Sequence, residues 1–391
     1  MQNVNYDVVI IGASLVGASC AIALHQLGLK VVVIDAKSIS IDTEPLDSRV
    51  YAISVNNVAW LKALNVWQRS DETRNNNIEK MHLWSDAGRE LVLDAFEVNA
   101  LSLGTIVENN QLLSAMHAQL DTLGVELVTG LVINIDYAPD AAVLQGDFGE
   151  IQTQLVVAAD GANSWTRTNA GISITMHDYE HQGVVANFRA TKSHQHVARQ
   201  WFKGSSVLAF LPMAHDVFSM VWSTDNQHAA YLLGLDATEL ANEVANACDH
   251  LLGELQLVTP ATAYPLQAQQ AERLVADRLV LIGDAAHTLH PLAGQGVNLG
   301  FRDVIALVSI LNAATMKKSF KQIDVPRTLR HYARSRQPDM LLMRFLTHGL
   351  QKLFASDAQL VKSVRNQGMA WLQHQTKLKN RMMHQMLDAS F

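Results

Sequence analysis

The run Tyr6-Asp-Val-Val-Ile-Ile11 is followed at once by Gly12-Ala13-Ser14-Leu-Val-Gly17. A short apolar run rich in β-branched residues reads as a strand buried on both faces. Residues 18–27 continue as an apolar, alanine-rich helix ending at Gly28, and residues 29–34 form a second strand closed by Asp35. Strand, glycine turn, helix and strand in this order constrain the chain more than any other feature. Two parallel strands joined by a crossover helix require an α/β sheet covered on both faces. An acidic residue roughly 20 positions after the glycines is placed to bind the ribose hydroxyls of a dinucleotide. Gly12, Ala13, Ser14, Gly17 and Asp35 are therefore the expected cofactor contacts. Ser14 stands where the fingerprint has its middle glycine; its Cβ narrows the room for a pyrophosphate, while its hydroxyl can itself donate.

A second strand–turn–helix unit lies late in the chain. Leu279-Val-Leu-Ile282 is a β-type run ending in Gly283-Asp284, and a turn rich in small residues leads to a helical pattern starting near Val297. Such a strand delivers a carboxylate to the edge of a sheet. Gly294 and Gly296 let a flat ligand approach main-chain N–H groups at the positive end of the helix dipole. A site of this kind stabilises negative charge on a planar ring, as reduced flavin carries at N1 and O2. His287 and His290 beside Asp284 have an i, i+3 spacing in a non-helical turn, so no metal is expected.

The run Gly283-Asp284-Ala-Ala-His287, continued by Pro291-Leu-Ala-Gly294-Gln-Gly296-Val297-Asn298-Leu-Gly300-Phe-Arg-Asp303, resembles the second FAD motif of the flavoprotein aromatic-ring hydroxylases. In its extended form it is most similar to the ubiquinone-biosynthesis hydroxylase group. The resemblance implies FAD contacts at Gly283, Asp284, Pro291, Gly294, Gly296, Val297 and Asn298. It also implies that His287 and Pro291 lie beside the ring and shape the active site. Asp47-Ser-Arg49-Val-Tyr-Ala-Ile-Ser54 places Arg49 where relatives reach the FAD phosphates and ribityl chain; read alone, it is an exposed arginine closing a loop. The apolar run 154–159 followed by Asp160-Gly161-Ala-Asn-Ser164 resembles the family's Asp-Gly motif, although a plain strand-end turn uses the same pair. Many relatives carry an arginine where Asn109 stands, whereas Glu108-Asn109 resembles the ubiquinone-type members; a helix start alone would also favour Glu108. The Trp-x-Trp-x-Ile-Pro run of flavin halogenases is absent.

Between these motifs the pattern changes. Residues 183–266 show alternating strands at 184–188, 207–211 and 217–222, with a helix over 237–252, and no second nucleotide fingerprint. The expected fold is an α/β FAD-binding domain, Rossmann-like and of the glutathione-reductase type, built from residues 1–75, 102–180 and 268–325. An α+β antiparallel-sheet substrate domain (76–101 and 181–267) is inserted, and a C-terminal helical region covers 326–391. Phe210, Pro212, Met220 and Trp222 are candidate substrate walls, with ordinary sheet core an equal alternative. The tail alternates apolar and basic residues at helical spacing and carries Met340, Met343, Met369, Met382, Met383 and Met386. Such a stripe is usually core or an oligomer face; a surface for lipid or a partner protein is the sharper reading.

At 391 residues the chain has room for about two to three domains. Hydrophobic content of 49% against 17% charged excludes disorder, and a net charge of −7 offers no footprint for nucleic acid. Cys20 and Cys248 build neither a disulfide framework nor a zinc spacing, which fits a reducing cytoplasm. No signal-like leader is expected, and no apolar run is expected to reach the ~18–20 residues of a membrane span. The expected location is cytoplasmic, with peripheral contact at the inner membrane.

The resemblance implies a single-component FAD monooxygenase. NADH or NADPH would reduce the flavin without a separate nicotinamide domain, O2 would add at flavin C4a, and the terminal oxygen of the hydroperoxide would pass to an electron-rich ring carbon. It further implies a polyprenyl phenol or quinol of ubiquinone biosynthesis as substrate and the proteins of a ubiquinone-biosynthesis complex as partners. A homo-oligomer is expected. Two alternatives stand beside this: a hydroxylase of a small soluble aromatic, and a non-catalytic FAD-binding member of such a complex, which only Ser14 favours.

Overall fold

The computed structural model describes residues 4–38, 40–288, 296–316, 318–354, 368 and 371–388. β1 (Val4–Ile11), α1 (Leu15–Gln26) and β2 (Val31–Asp35) form the βαβ unit. There follow β3 (Val50–Ile53), α2 (Val55–Ala63), β4 (Asn76–Ile78), β5 (Lys80–Trp84), β6 (Glu90–Asp94), β7 (Gly104–Glu108) and α3 (Asn109–Leu123). Next come β8 (Glu126–Thr129), β9 (Val132–Tyr137), β10 (Ala142–Gly146), β11 (Gly149–Ala158), α4 (Trp165–Asn169) and β12 (Ile174–Ala190). The middle is completed by β13 (Val197–Lys203), β14 (Ser206–Pro212), β15 (Val217–Asp225), α5 (Asn226–Gly234), α6 (Ala237–Ala247), β16 (Leu255–Leu257) and β17 (Thr262–Ala271). The last part holds β18 (Val275–Ala276), β19 (Leu279–Leu281), β20 (His287–Thr288), α7 (Gly296–Thr315), α8 (Val325–Phe354) and α9 (Thr376–Asp388).

The first sheet runs β18-β19-β11-β1-β2-β8, and its neighbours from β19 to β8 are parallel. Its strands are apolar at successive positions because both faces are covered. Val8, Ile10, Val33, Val157 and Leu281 share one core with Leu24 of α1, Phe301 and Leu307 of α7, and Leu329 and Tyr332 of α8. Each fully buried side chain of this size contributes about 1.5–3 kcal/mol, and Ile10→Ala would cost about 2–5 kcal/mol. Tyr332 is fully buried there, so α8 begins as part of this core, and a boundary at 325/326 would cut it away.

By length and composition α7 is the one described helix apolar enough to cross a bilayer, contrary to the sequence expectation. Here it packs against α1 and α8, half of its spanning window is buried, and it carries Asp303 into the core.

The second sheet runs β20-β17-β12-β15-β14-β13-β5-β6, with β16 also on β12. Side chains alternate between its faces. One face carries Phe188, Trp201, Leu208, Phe210, Phe218, Met220 and Trp222 against Leu232 of α5 and Leu240 and Val244 of α6. From the other face Ala198, Leu211 and Val217 meet Leu46, Val50, Ala52 and Ile106, at or beside a third sheet of order β3-β7-β4. Asn187 on this face donates to the Asp47 carbonyl at 2.9 Å. The second sheet therefore has a helical cover on one side and the cofactor half on the other. β12 pairs with β17 on both sides of a bulge between Asp178 and His181, so the boundary expected at 180/181 falls inside a continuous strand. Of the tail methionines, Met383 is buried beside Val98 and Met382 is exposed; the side chains of Met340, Met343, Met369 and Met386 lie outside the described residues.

Candidate cofactor site

The β1–α1 turn is built so that only glycine fits at two places. Gly12 has φ +104°, and a Cβ there would sit 2.4 Å from the Ala159 carbonyl oxygen. A Cβ on Gly17 would lie 1.9 Å from the Gly12 oxygen. Ala13 is held from both ends: its N–H donates to Asp35 Oδ2 at 2.7 Å, and its carbonyl accepts from His117 Nε2 at 2.9 Å. Nothing in the local pattern of α3 marked His117 for this contact. Ser14 is the extended N-cap of α1, exposed, and its side chain makes no capping bond. Among the described residues the first-turn N–H groups of α1 thus have no side-chain cap, which makes an anion cradle.

The β19–α7 junction packs onto that turn through Val16. A Cβ at Gly300 would approach Val16 Cγ2 to 2.6 Å, and one at Gly283, whose φ is +58°, would approach Val16 to 3.1 Å. Asp284 presents its carboxylate to solvent while protein atoms crowd it on every other side. Burial raises its pKa and nearby Asp303 adds to that, while His287 and Arg49 oppose.

Arg49 is exposed, with its guanidinium 5.4 Å from the centre of the Tyr51 ring. Burial pushes the Tyr51 hydroxyl up to about 12, Arg49 works against that shift and Asp284 adds to it, so the three side chains are mutual neighbours. Loop 42–49, which carries Arg49, is clamped from below. Buried Glu108 accepts from the Asp47 N–H at 2.8 Å and pairs with Arg74 at 2.6 Å. Arg74 also donates to the Thr43 carbonyl, and the Asn110 N–H donates to Asp47 Oδ2. Asn109 meets Arg49 through the backbone, N–H to carbonyl at 2.9 Å.

Several expected contacts have other partners. The Asp160 carboxylate caps α4, accepting from Ser164 Oγ at 2.5 Å and the Thr166 N–H at 3.0 Å. Arg167, buried and pulled down in pKa by desolvation, donates to the carbonyls of Ala162 and Ala285 and ties the Asp160–Gly161 turn to the Gly283–Asp284 turn. Asn298 is turned inward: it donates to the Ala52 carbonyl at 2.7 Å and accepts from the Ser54 N–H and Asn57 Nδ2. Val297 is packed in the first core, whereas a Cβ on Gly296 would meet open space. Pro291, Gly294 and His290 lie outside the described residues.

His287 is not on the surface of the site. It is 4% exposed, and its Nε2 donates to Asp303 Oδ2 at 2.7 Å. Asp303, 1% exposed, also accepts from the Gly283 N–H at 2.9 Å and from Arg336 Nε at 2.8 Å; Arg336 in turn pairs with Asp339. The expectation of a ring-facing histidine thus becomes a histidine behind the turn, because a buried carboxylate captures it.

The four candidate substrate walls are corrected as well. Phe210, Met220 and Trp222 belong to the helix-covered face of the second sheet, and Pro212 shares the parity of Phe210 on β14. Trp222 Nε1 is spent on Ser206 Oγ at 2.7 Å. Large apolar side chains fill the two-layer core. The face towards the cofactor half instead carries half-buried Val185, Ala209, Leu211 and Val221, with Val221 in register with both Val185 and Ala209.

Three turns thus converge beyond the ends of the adjacent parallel strands β1, β11 and β19, where open α/β sheets bind ligands. Uncapped N–H groups and Ser14 suit a pyrophosphate. Asp284, with no hydrogen-bond partner among the described residues, suits polyol hydroxyls, and exposed Arg49 suits an anionic group. The residues present fit FAD.

The FAD binding domain family matches residues 5–338. The chain is similar to 3-demethoxyubiquinol 3-hydroxylase of Escherichia coli K12, 32% identical over 94% of this chain and 95% of that protein. It is similar to the ubiquinone hydroxylase UbiL of Rhodospirillum rubrum, 32% identical over 95% and 87%. Its fold matches that of p-nitrophenol 4-monooxygenase PnpA from Pseudomonas putida DLL-E4, with a TM-score of 0.79, 18% identity and 98% of both chains covered. Fold, site and relatives agree that the chain belongs to the FAD-binding-domain family, as an FAD-dependent aromatic hydroxylase.

Proposed function

We propose that the chain hydroxylates the aromatic ring of a polyprenyl phenol or quinol intermediate of ubiquinone biosynthesis. Two relatives whose names specify ubiquinone-pathway hydroxylation align with it along nearly their whole lengths. The observation that carries the reading is the cofactor-side face of the second sheet. Val185, Ala209, Leu211 and Val221 make an apolar, uncharged wall with small side chains, suited to a bulky greasy ring. FAD, reduced by NADH or NADPH, supplies the activation of O2 and the oxygen transfer. The chain's own residues hold and orient: Ser14 and the α1 N-terminus take the phosphates, Asp284 the polyol, and Arg49 closes the entrance. The wall keeps water from the reacting ring. The first and second sheets then act as the cofactor and substrate halves.

α9 exposes Leu378 and Met382 beside Lys377 and Arg381, with exposed Trp371 just before it. A basic, apolar surface of this kind suits peripheral contact with an anionic membrane where a tailed substrate resides. Co-sedimentation with anionic but not neutral vesicles checks that part.

The main test supplies purified holoprotein with NADH or NADPH, O2 and a set of phenols with and without a prenyl tail, and follows cofactor oxidation and product mass. Coupled oxidation with one added oxygen is expected for the tailed compounds. Equal turnover of tail-free phenols would move the reading to a small soluble aromatic, and no turnover of any would leave a non-catalytic flavoprotein. Val221→Trp is expected to raise KM about tenfold or more while FAD is retained.

A further inference from the structure

Behind the Gly283–Asp284 turn the protein buries more charge than packing needs. Asp303, Arg336 and Asp339 are 1–5% exposed, with His287 beside them at 4%. Buried ion sets of this kind are no more stabilising than well-packed apolar side chains of the same volume, so stability does not explain them. Their geometry does. Oδ2 of Asp303 takes both the Gly283 N–H and His287 Nε2, and Oδ1 takes Arg336 Nε. With donors from three directions the carboxylate cannot rotate. The residue it grips has a left-handed backbone, φ +58°, and directly precedes Asp284.

We propose that Asp303, fixed by Arg336 and His287, is the positioning residue of the cofactor turn: it holds the Gly283 N–H and thereby sets the direction of the Asp284 carboxylate. Arg336 acts from α8, beyond the last sequence motif, so α8 is a working part of the flavin site. The electrostatics agree: Asp284 feels His287 and Asp303 with opposite sign, so a shift of either changes the charge balance at the group facing the cofactor. The inference rests on FAD binding alone and stands whichever ring is hydroxylated.

The test uses full-length Asp303→Asn, Arg336→Lys, Arg336→Met and the triple variant Asp303→Asn/Arg336→Met/Asp339→Asn. Three quantities are read: FAD affinity of the apoprotein by fluorescence quenching, visible circular dichroism of bound flavin, and apoprotein melting temperature. Asp303→Asn is expected to weaken FAD about tenfold or more and to change the flavin dichroism, whereas Arg336→Lys keeps both near wild type. The triple variant, having lost all three paired charges, should recover melting temperature without recovering FAD affinity. Recovery of affinity together with stability would overturn the proposal, as would an Asp303→Asn protein with lowered melting temperature and unchanged dichroism. Should Asp303→Asn not fold, His287→Leu takes its place, with His287→Gln restoring the donor; equal behaviour of those two would overturn it equally.

Discussion

Asp284 and Asp303 belong to one strand–turn–helix unit and are treated in opposite ways. Asp303 is buried with three donors, which hold its carboxyl below the ordinary carboxylate range against desolvation. Asp284 is open on one side, has no hydrogen-bond partner among the described residues, and is raised. A satisfied buried carboxylate gives geometry, while an unsatisfied one is a group kept for a ligand. The two tasks of the site, holding its shape and meeting the cofactor, are divided between two side chains.

The largest expected effect breaks the satisfied member. Asp303→Ala takes away the anion that Arg336 and His287 share, leaving Arg336 with Asp339 alone, and should lower apoprotein stability by about 3–5 kcal/mol in denaturant unfolding. A loss near zero would mean that solvent reaches the junction. Next, Asp284→Asn should leave the apoprotein at least as stable as wild type at neutral pH while weakening FAD by about 1.5–3 kcal/mol, the worth of a charged hydrogen bond. Titration calorimetry and thermal melts on the same samples separate the two; a destabilised apoprotein would erase the contrast. The smallest effect is in pH. Asp303 has a depressed folded pKa, so its contribution is present above about pH 4 and is lost as the pH falls through the folded value. Asp284 has a raised one, so its contribution is present at low pH and is lost as the pH rises through the folded value. Asp303→Asn should therefore flatten the acid limb of apoprotein stability, and Asp284→Asn should flatten a decline on the other side of about pH 4.

The local grammar of the chain was legible where chemistry is written in neighbouring residues. Strand β1, the glycines of its turn, Asp35 and the Gly283–Asp284 strand end follow from runs and spacings, and the structure has them in one sheet. What could not be read is pairing across the chain. The Arg74–Glu108 clamp, the Arg167 bridge and the Arg336–Asp303 pair each join an arginine to a partner far off in the chain, and nothing beside the arginine in sequence names that partner. Asn298 carries the motif yet faces β3 and α2, since a side-chain amide with two donors and an acceptor is what two backbone segments need to be locked together. The substrate walls were misplaced for a related reason: hydrophobicity finds a sheet's core face more readily than its binding face, and on β14 and β15 the two alternate residue by residue.

Arg336 lies some way beyond the strand it serves, and that has a consequence for how the chain is made. During synthesis β1 and its turn emerge first, β19 much later, and the guanidinium that locks Asp303 later again. A nascent chain halted before α8 would hold Asp303 with Gly283 and His287 to hand but without the guanidinium that completes its set of donors. If Arg336 positions the cofactor turn as proposed, flavin capture waits for α8, and a fragment trimmed at the last recognisable motif is expected to be a poor vessel for the cofactor.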